Sequence, residues 1–250
     1  MKRVRGCWLL LILYLSVPAQ TPNLVLPVGH TSSVSTIACS PDGKFVVTAS
    51  WDNTAKIWSS PEGRLLYDLK AHAASLLFAT YSHNGQYIVT TSKDSTAIIW
   101  NAANGAPLYQ LRGHTDWVNT ATFTRDDKYL LTASWDNTVR IWNTATGKLL
   151  NTLSIHRGSV NNISFSPQEE YFVTSSKDSS AVIVKFSTQK VVAVLSGHND
   201  WVNNACFSND GKFVATASQD GTSKIWLAST GKLLRTLTGH RSAVNTVAFN

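Results

Sequence analysis

The stretch Gly113–Leu153, GHTDWVNTATFTRDDKYLLTASWDNTVRIWNTATGKLLNTL, decides the fold. Val118 to Phe123 alternates apolar and polar residues, Arg125-Asp126-Asp127 is a turn, and Lys128 to Ser134 reads as a second strand. Asp136-Asn137 is a tight turn, Val139 to Trp142 a third strand, and Thr146-Gly147 leads into a fourth at Lys148 to Leu153. A period of two residues belongs to strands and not to a helix. Four short strands joined by tight turns make one small antiparallel sheet.

The unit recurs along the whole chain. Histidines fall at His30, His72, His114, His156, His198 and His240, each 42 residues after the last, and only His83 lies off this ladder. Twenty residues after each of the first five stand Ser50, Ser92, Ser134, Ser176 and Ser218, and two further on Asp52, Asp94, Asp136, Asp178 and Asp220. Six beyond those come Trp58, Trp100 and Trp142, then Val184, then Trp226. A self-similar period of this length marks a repeat architecture. One sheet of this size cannot bury both faces alone, so neighbours must stack, and radial stacking protects the sheet edges. The expected fold is all-β: a β-propeller of four-stranded antiparallel blades. It has five full units, at roughly 30–71, 72–113, 114–155, 156–197 and 198–239, and an incomplete sixth at 240–250.

The Gly-His pairs at 29–30, 113–114, 197–198 and 239–240, with the Ser-x-Asp and Ile-Trp signals behind them, resemble the WD-repeat family from Leu24 to Asn250. The resemblance implies a hydrogen-bonded tetrad of His, Ser, Asp and Trp in each blade, in which Asp anchors a turn and orients the imidazole, the His meets the Ser hydroxyl, and the indole N–H finds an acceptor. Unit four lacks the indole, having Val184, and is expected to be the less rigid. The family's Trp-Asp dipeptide is absent, since its Trp is followed here by Ser59, Asn101, Asn143 and Leu227; the pairs Trp51-Asp52 and Trp135-Asp136 lie in another register.

In that family the sequence unit starts with the outer strand of one blade. Asn23 to Val28 resembles such a strand and Ser242 to Phe249 an innermost one, so a closing blade would lack its middle two. His30 to Asn250 amounts to about 5.3 units, where a seven-bladed ring needs about 294 residues. A chain cut short of its full length is expected, with closure by a second chain as the alternative; exposed edges then invite association.

Residues 1–19 read as a secretion signal: a basic head of Lys2, Arg3 and Arg5, an apolar run from Trp8 to Val17 too short to span a bilayer, and small residues before Gln20. The propeller then occupies 20–250, with no stable membrane span and a secreted or periplasmic setting expected; an uncleaved anchor is the alternative. Without the leader's cations, the formal charge falls from +7 to about +4, spread along the chain, and nucleic acid is not the expected partner. Cys39 and Cys206, in the first and fifth units, read as buried free thiols, with a disulfide between them as the alternative.

No catalytic constellation stands out, and neither metal nor cofactor is expected. The regular histidines have a place in the repeat, and separate blades hold them too far apart for one ion. The Thr-Gly-Lys triplets at 146–148 and 230–232 lack the glycine-rich lead of a phosphate loop. The informative positions are those the tetrad leaves free. Immediately before each Asp stand Trp51, Lys93, Trp135, Lys177 and Gln219; three residues after each His stand Ser33, Ser75, Trp117, Ser159, Trp201 and Ala243. Units one, three and five resemble each other, as do two and four. Both sets of positions belong to one rim, with Trp117 and Trp201 expected to point away from the core. Asn119, Asn161, Asn203 and Asn245 share the outward side near the ring's centre. Exposed indoles beside cations mark interaction hot spots. The expected function is therefore a non-catalytic protein-binding scaffold, its partners one or more proteins. A carbohydrate or small-ligand binder using the same rim, and the docking domain of a larger enzyme, are the alternatives.

Overall fold

The computed structural model describes residues 29–250. The leader and the outer-strand resemblance at 23–28 lie outside the described residues.

Blade 1 is built from β1 (Val34–Cys39), β2 (Phe45–Ser50), β3 (Ala55–Ser59) and β4 (Leu65–Leu69). Blade 2 follows with β5 (Leu76–Tyr81), β6 (Tyr87–Ser92), β7 (Ala97–Asn101) and β8 (Pro107–Leu111). In blade 3 these are β9 (Val118–Phe123), β10 (Tyr129–Ser134), β11 (Val139–Asn143) and β12 (Leu149–Leu153). Blade 4 has β13 (Val160–Phe165), β14 (Tyr171–Ser176), β15 (Ser180–Lys185) and β16 (Lys190–Ser196). Blade 5 has β17 (Val202–Phe207), β18 (Phe213–Ser218), β19 (Ser223–Leu227) and β20 (Lys232–Leu237). Each blade is a simple antiparallel meander of four strands. The innermost strands pack in succession, β1 on β5, β5 on β9, β9 on β13 and β13 on β17. This is the radial stacking of a propeller.

The cores lie between blades. Ile57 and Leu69 of blade 1 meet Leu76, Ile88 and Trp100 of blade 2 in one fully buried cluster, and the other adjacent pairs repeat it. Each such aliphatic side chain contributes about 1.5–3 kcal/mol by leaving water. Blade 1 shows what the stacking does. Val34 and Ile37 are 52% and 69% exposed, whereas Leu76 and Ala79, one repeat on, are at 0% and 1%. No preceding blade covers that face among the described residues. The same exposure corrects the expectation for Cys39, which is an exposed thiol; Cys206 is half-buried, and its Sγ–H donates to Val247 O at 3.3 Å.

A bulge in each innermost strand explains the asparagines. Register shifts between Ala133 and Ser134, Val160 and Asn162, and Val202 and Asn204 leave Asn119, Asn161 and Asn203 without a cross-strand partner. A bulge re-aims its side chain. Here it turns the amide onto the next blade: Asn119 Nδ2 donates to Asn161 O, Asn161 Nδ2 to Val202 O at 2.9 Å, and Asn203 Nδ2 to Val244 O at 3.0 Å. These bonds tie the innermost strands together around the ring's centre.

At the end of the blades where the first and second strands join, Gly43, Gly85 and Gly211 take positive φ, and Asp127 and Glu169 hold the same position in blades 3 and 4. These two non-glycine residues use their carboxylates across the blade boundary. Asp127 accepts the backbone N–H groups of His83 and Asn84 at 2.9 and 2.8 Å, and Glu169 that of Arg125 at 2.7 Å. The off-ladder histidine thus has a structural place.

The segment 240–250 forms no strand, so the expected innermost strand of a sixth blade is not observed. It lies against blade 5, with Val244 N donating to Ser218 O at 2.9 Å. A strand exists through its ladder, and no described segment pairs along this one's free side.

Candidate functional site

The tight turn between the second and third strands of each blade is fixed by its Asp. In blade 3, Asp136 Oδ1 accepts the backbone N–H and the hydroxyl of Thr138 at 3.0 and 2.6 Å. Its Oδ2 accepts His114 Nδ1–H at 2.7 Å and the N–H of Thr115 at 3.2 Å. One carboxylate therefore pins both the turn and the loop leading into the innermost strand. With Nδ1 donating, His114 Nε2 accepts, and its partner at 2.8 Å is Thr132 Oγ1. The same oxygen receives Trp142 Nε1–H at 2.9 Å.

This corrects the expected tetrad. The hydroxyl on the histidine is the threonine two residues before the serine: Thr48, Thr90, Thr132, Thr174 and Thr216, at 2.7–2.8 Å from His30, His72, His114, His156 and His198. The serine ends the second strand and works on backbone. Ser134 Oγ accepts Asp136 N–H at 3.0 Å and donates to Asp116 O at 3.0 Å, as Ser50, Ser92, Ser176 and Ser218 do in register. Thr and Ser point to the same face of one strand, so alternation alone does not separate them. The threonines recur at the same 42-residue period, a signal that was legible. In blade 4, where Val184 replaces the indole, Thr174 Oγ1 lies instead 3.3 Å from Val182 O.

Burial alone would raise the Asp136 carboxyl, but the His114 and Thr138 bonds outweigh it and hold the group well below the usual carboxylate range. The equivalent Asp52, Asp94, Asp178 and Asp220 behave alike. Burial pushes the His114 and His198 imidazoles below their ordinary value, against the opposing pull of Asp136 and Asp220.

The tetrads hold the rim above them. Trp135 N–H donates to Trp117 O, and Lys93, Lys177 and Gln219 bond to the same position of their own lead-in loops. Across blade boundaries the expected residues come together. Lys93 Nζ lies 4.9 Å from the Trp51 ring and 4.2 Å from the Trp117 ring. Within blade 3, Trp117 stacks on Trp135, with centroids 4.2 Å apart and planes at 25°. Lys177 Nζ lies 3.4 Å from Trp135 and 4.3 Å from Trp201. The order Trp51, Lys93, Trp117, Trp135, Lys177, Trp201 is one continuous ladder crossing five blades. Each cation–π contact is worth about 0.5–2 kcal/mol, more where it is desolvated. Gln219 is exposed and stands outside the ladder.

The ladder is neither wholly free nor wholly packed. Trp51 and Trp201 at its ends are 49% and 44% exposed. Trp117 and Trp135 at its centre are half-buried. Trp135 Nε1 is buried with no acceptor among the described residues. Burial lowers the Lys177 pKa, and neither Lys93 nor Lys177 has an ion-pair partner among the described residues. In the lysines' own blades, 2 and 4, the lead-in residue is small: Ser75 and Ser159 donate to Trp51 O and Trp135 O of the preceding blade at 3.1 and 3.4 Å. Each of the four boundaries between described blades thus carries a cation-to-indole joint, and those between blades 1 and 2 and between blades 3 and 4 add a hydroxyl-to-carbonyl bond.

Among the described residues no helix is long and apolar enough to cross a membrane, and no three His, Cys, Asp or Glu side chains converge on a metal-sized space.

Known proteins match this chain through its repeats. It is 42% identical over 38 residues to "Ribosome assembly protein 4" of Saccharomyces cerevisiae, covering 15% of this chain and 7% of that protein. It is 42% identical over 45 residues to "Small ribosomal subunit protein RACK1z" of Arabidopsis thaliana, covering 18% and 14%. To "Ribosome biogenesis protein WDR12 homolog" of Oryza sativa subsp. japonica it is 43% identical over 44 residues, 18% and 10%. The matched stretches are about one repeat long and span no more than 14% of these relatives. The family model described as "WD domain, G-beta repeat" matches residues 21–59, 63–101, 105–143, 147–184, 189–226 and 231–250, most of the sequence. The chain belongs to the WD40, G-beta repeat family.

Proposed function

We propose that this chain is a non-catalytic protein-binding scaffold that seats its partner on the Trp–Lys ladder. The carrying observation is the ladder itself: two lysines without ion-pair partners among the described residues, each held between two indoles, along a rim fixed by the tetrads. Such a surface suits a partner segment that offers carboxylates to Lys93 and Lys177 and apolar or aromatic side chains to the exposed ends. Held cations and large indoles give contact area with little loss of side-chain freedom on binding.

The end residues are the ones to change, because Trp117 and Trp135 also pack. The double variant Trp51→Ala, Trp201→Ala is expected to weaken capture of the partner recovered from the source cells by about tenfold or more, as two hot-spot losses imply. Its melting temperature should stay close to that of the parent chain. Capture that persists at parental strength places the partner elsewhere. Binding of glycans to the parent chain without a protein partner would favour the carbohydrate alternative.

A further inference from the structure

The repeat supplies an internal comparison for a groove at the opposite end of the blades from the rim. Between blades 3 and 4, Phe186 fills this groove. Its ring packs edge-on against Tyr129 at 5.7 Å, Phe165 at 5.4 Å and Phe172 at 6.4 Å between centroids. Two repeats earlier, between blades 1 and 2, the walls persist as Phe45, Tyr81 and Ile88, but the filling residue is Ala102. A cavity of about 690 Å³ opens there, lined by Phe45, Tyr81, Tyr87, Ala102, Leu108 and Tyr109 among others. Phe45 and Leu108 are exposed on its walls.

The second observation is a hydroxyl. The position of Tyr81 is Phe123, Phe165 and Phe207 in blades 3 to 5. Tyr81 is only 8% exposed, and its hydroxyl has no hydrogen-bond partner among the described residues. Burial, with the Asp42 carboxylate and Cys39 nearby, pushes its pKa up to about 12, so it stays a neutral phenol. A buried hydroxyl left unpaired is destabilising, so a ligand that pairs with it gains that lost bond. The corresponding groove between blades 4 and 5 is also open at Ala228, but smaller, at about 410 Å³, and has Phe207 where Tyr81 stands. Asn84 and Asn101 at the cavity use their side-chain carbonyls on turn amides, which leaves their NH₂ groups as further donors.

We infer that the groove between blades 1 and 2 binds one aromatic ring carrying a hydrogen-bonding group at its edge, a phenol in the simplest case, seated where Phe186 sits two blades on. The ring replaces the missing side chain, and its polar edge pairs with Tyr81 after a small shift of the exposed wall. This site is independent of the rim.

The test is an NMR titration of the full chain with p-cresol and with toluene, which differ only in the hydroxyl. p-Cresol is expected to bind saturably and about fivefold or more tighter than toluene, the worth of one hydrogen bond. Tyr81→Phe should bring the two ligands to equal affinity. Ala102→Phe should abolish binding of both by filling the space; Ala102→Leu serves if that variant does not fold. Competition by N-acetyl-tyrosinamide would identify the natural source as a tyrosine side chain, and its failure to compete a free small phenol. The inference is overturned if p-cresol does not saturate, if toluene binds as tightly, or if binding survives the filled groove.

Discussion

Asp136→Ala is expected to lower the unfolding free energy by about 3–5 kcal/mol, the cost of breaking a buried, hydrogen-bonded charged site by removing one partner. The substitution strands His114 Nδ1–H, the Thr115 and Thr138 N–H groups and the Thr138 hydroxyl, which the carboxylate now satisfies. Blade 3 is the place to test it, because blades pack on both of its faces. Ser134→Ala is the comparison. It removes one hydroxyl that bonds only to backbone, and about 1 kcal/mol is expected. Denaturant unfolding of both variants measures the difference. Equal losses would mean that the serine's backbone bonds carry as much of the blade's stability as the carboxylate, against the expected hierarchy.

Acid should unfold this protein from an unusually early point. His114 and His198 are held below their ordinary value of 6.5, so between that value and their folded-state pKa the unfolded chain binds more protons. Stability therefore rises with pH across that window and is lost as pH falls through it. The five tetrad aspartates, held below 3.8, add a second and steeper loss under pH 4 with the same sign. The melting temperature should be nearly flat from pH 8 to 7, decline below about 6.5, and drop sharply below 4. A melting temperature that increases between pH 6.5 and 5 would contradict neutral, acceptor imidazoles in the tetrads.

Much of this fold was legible because each unit states its turns as well as its strands. The strands expected at Val118–Phe123, Lys128–Ser134, Val139–Trp142 and Lys148–Leu153 are observed within one residue at each end. What escaped are contacts that depend on a neighbour. The choice between Thr132 and Ser134 as the imidazole's partner turns on depth along one strand, which a two-residue period does not report. The bulges at Asn119, Asn161 and Asn203 break that period, and only the structure shows their amides reaching the next blade. Cys39 reads as a buried thiol; its counterparts Tyr81 and Phe123 are indeed buried, but its own face has no covering blade among the described residues. On the rim, the residue types and their alternation were readable, but the stacking of Trp117 on Trp135 was not. It arises because two lysines from adjacent blades brace the indole pair from both sides, turning residues that read as free into half-buried ones.

The rim as the docking surface is tested most directly by hydroxyl-radical footprinting of the parent chain, alone and with its captured partner. Oxidation of Trp51 and Trp201, the exposed ends of the ladder, is expected to fall severalfold in the complex, while exposed His83 at the opposite end of the blades stays reactive. Unchanged oxidation of both indoles in a saturated complex would contradict the proposed docking surface.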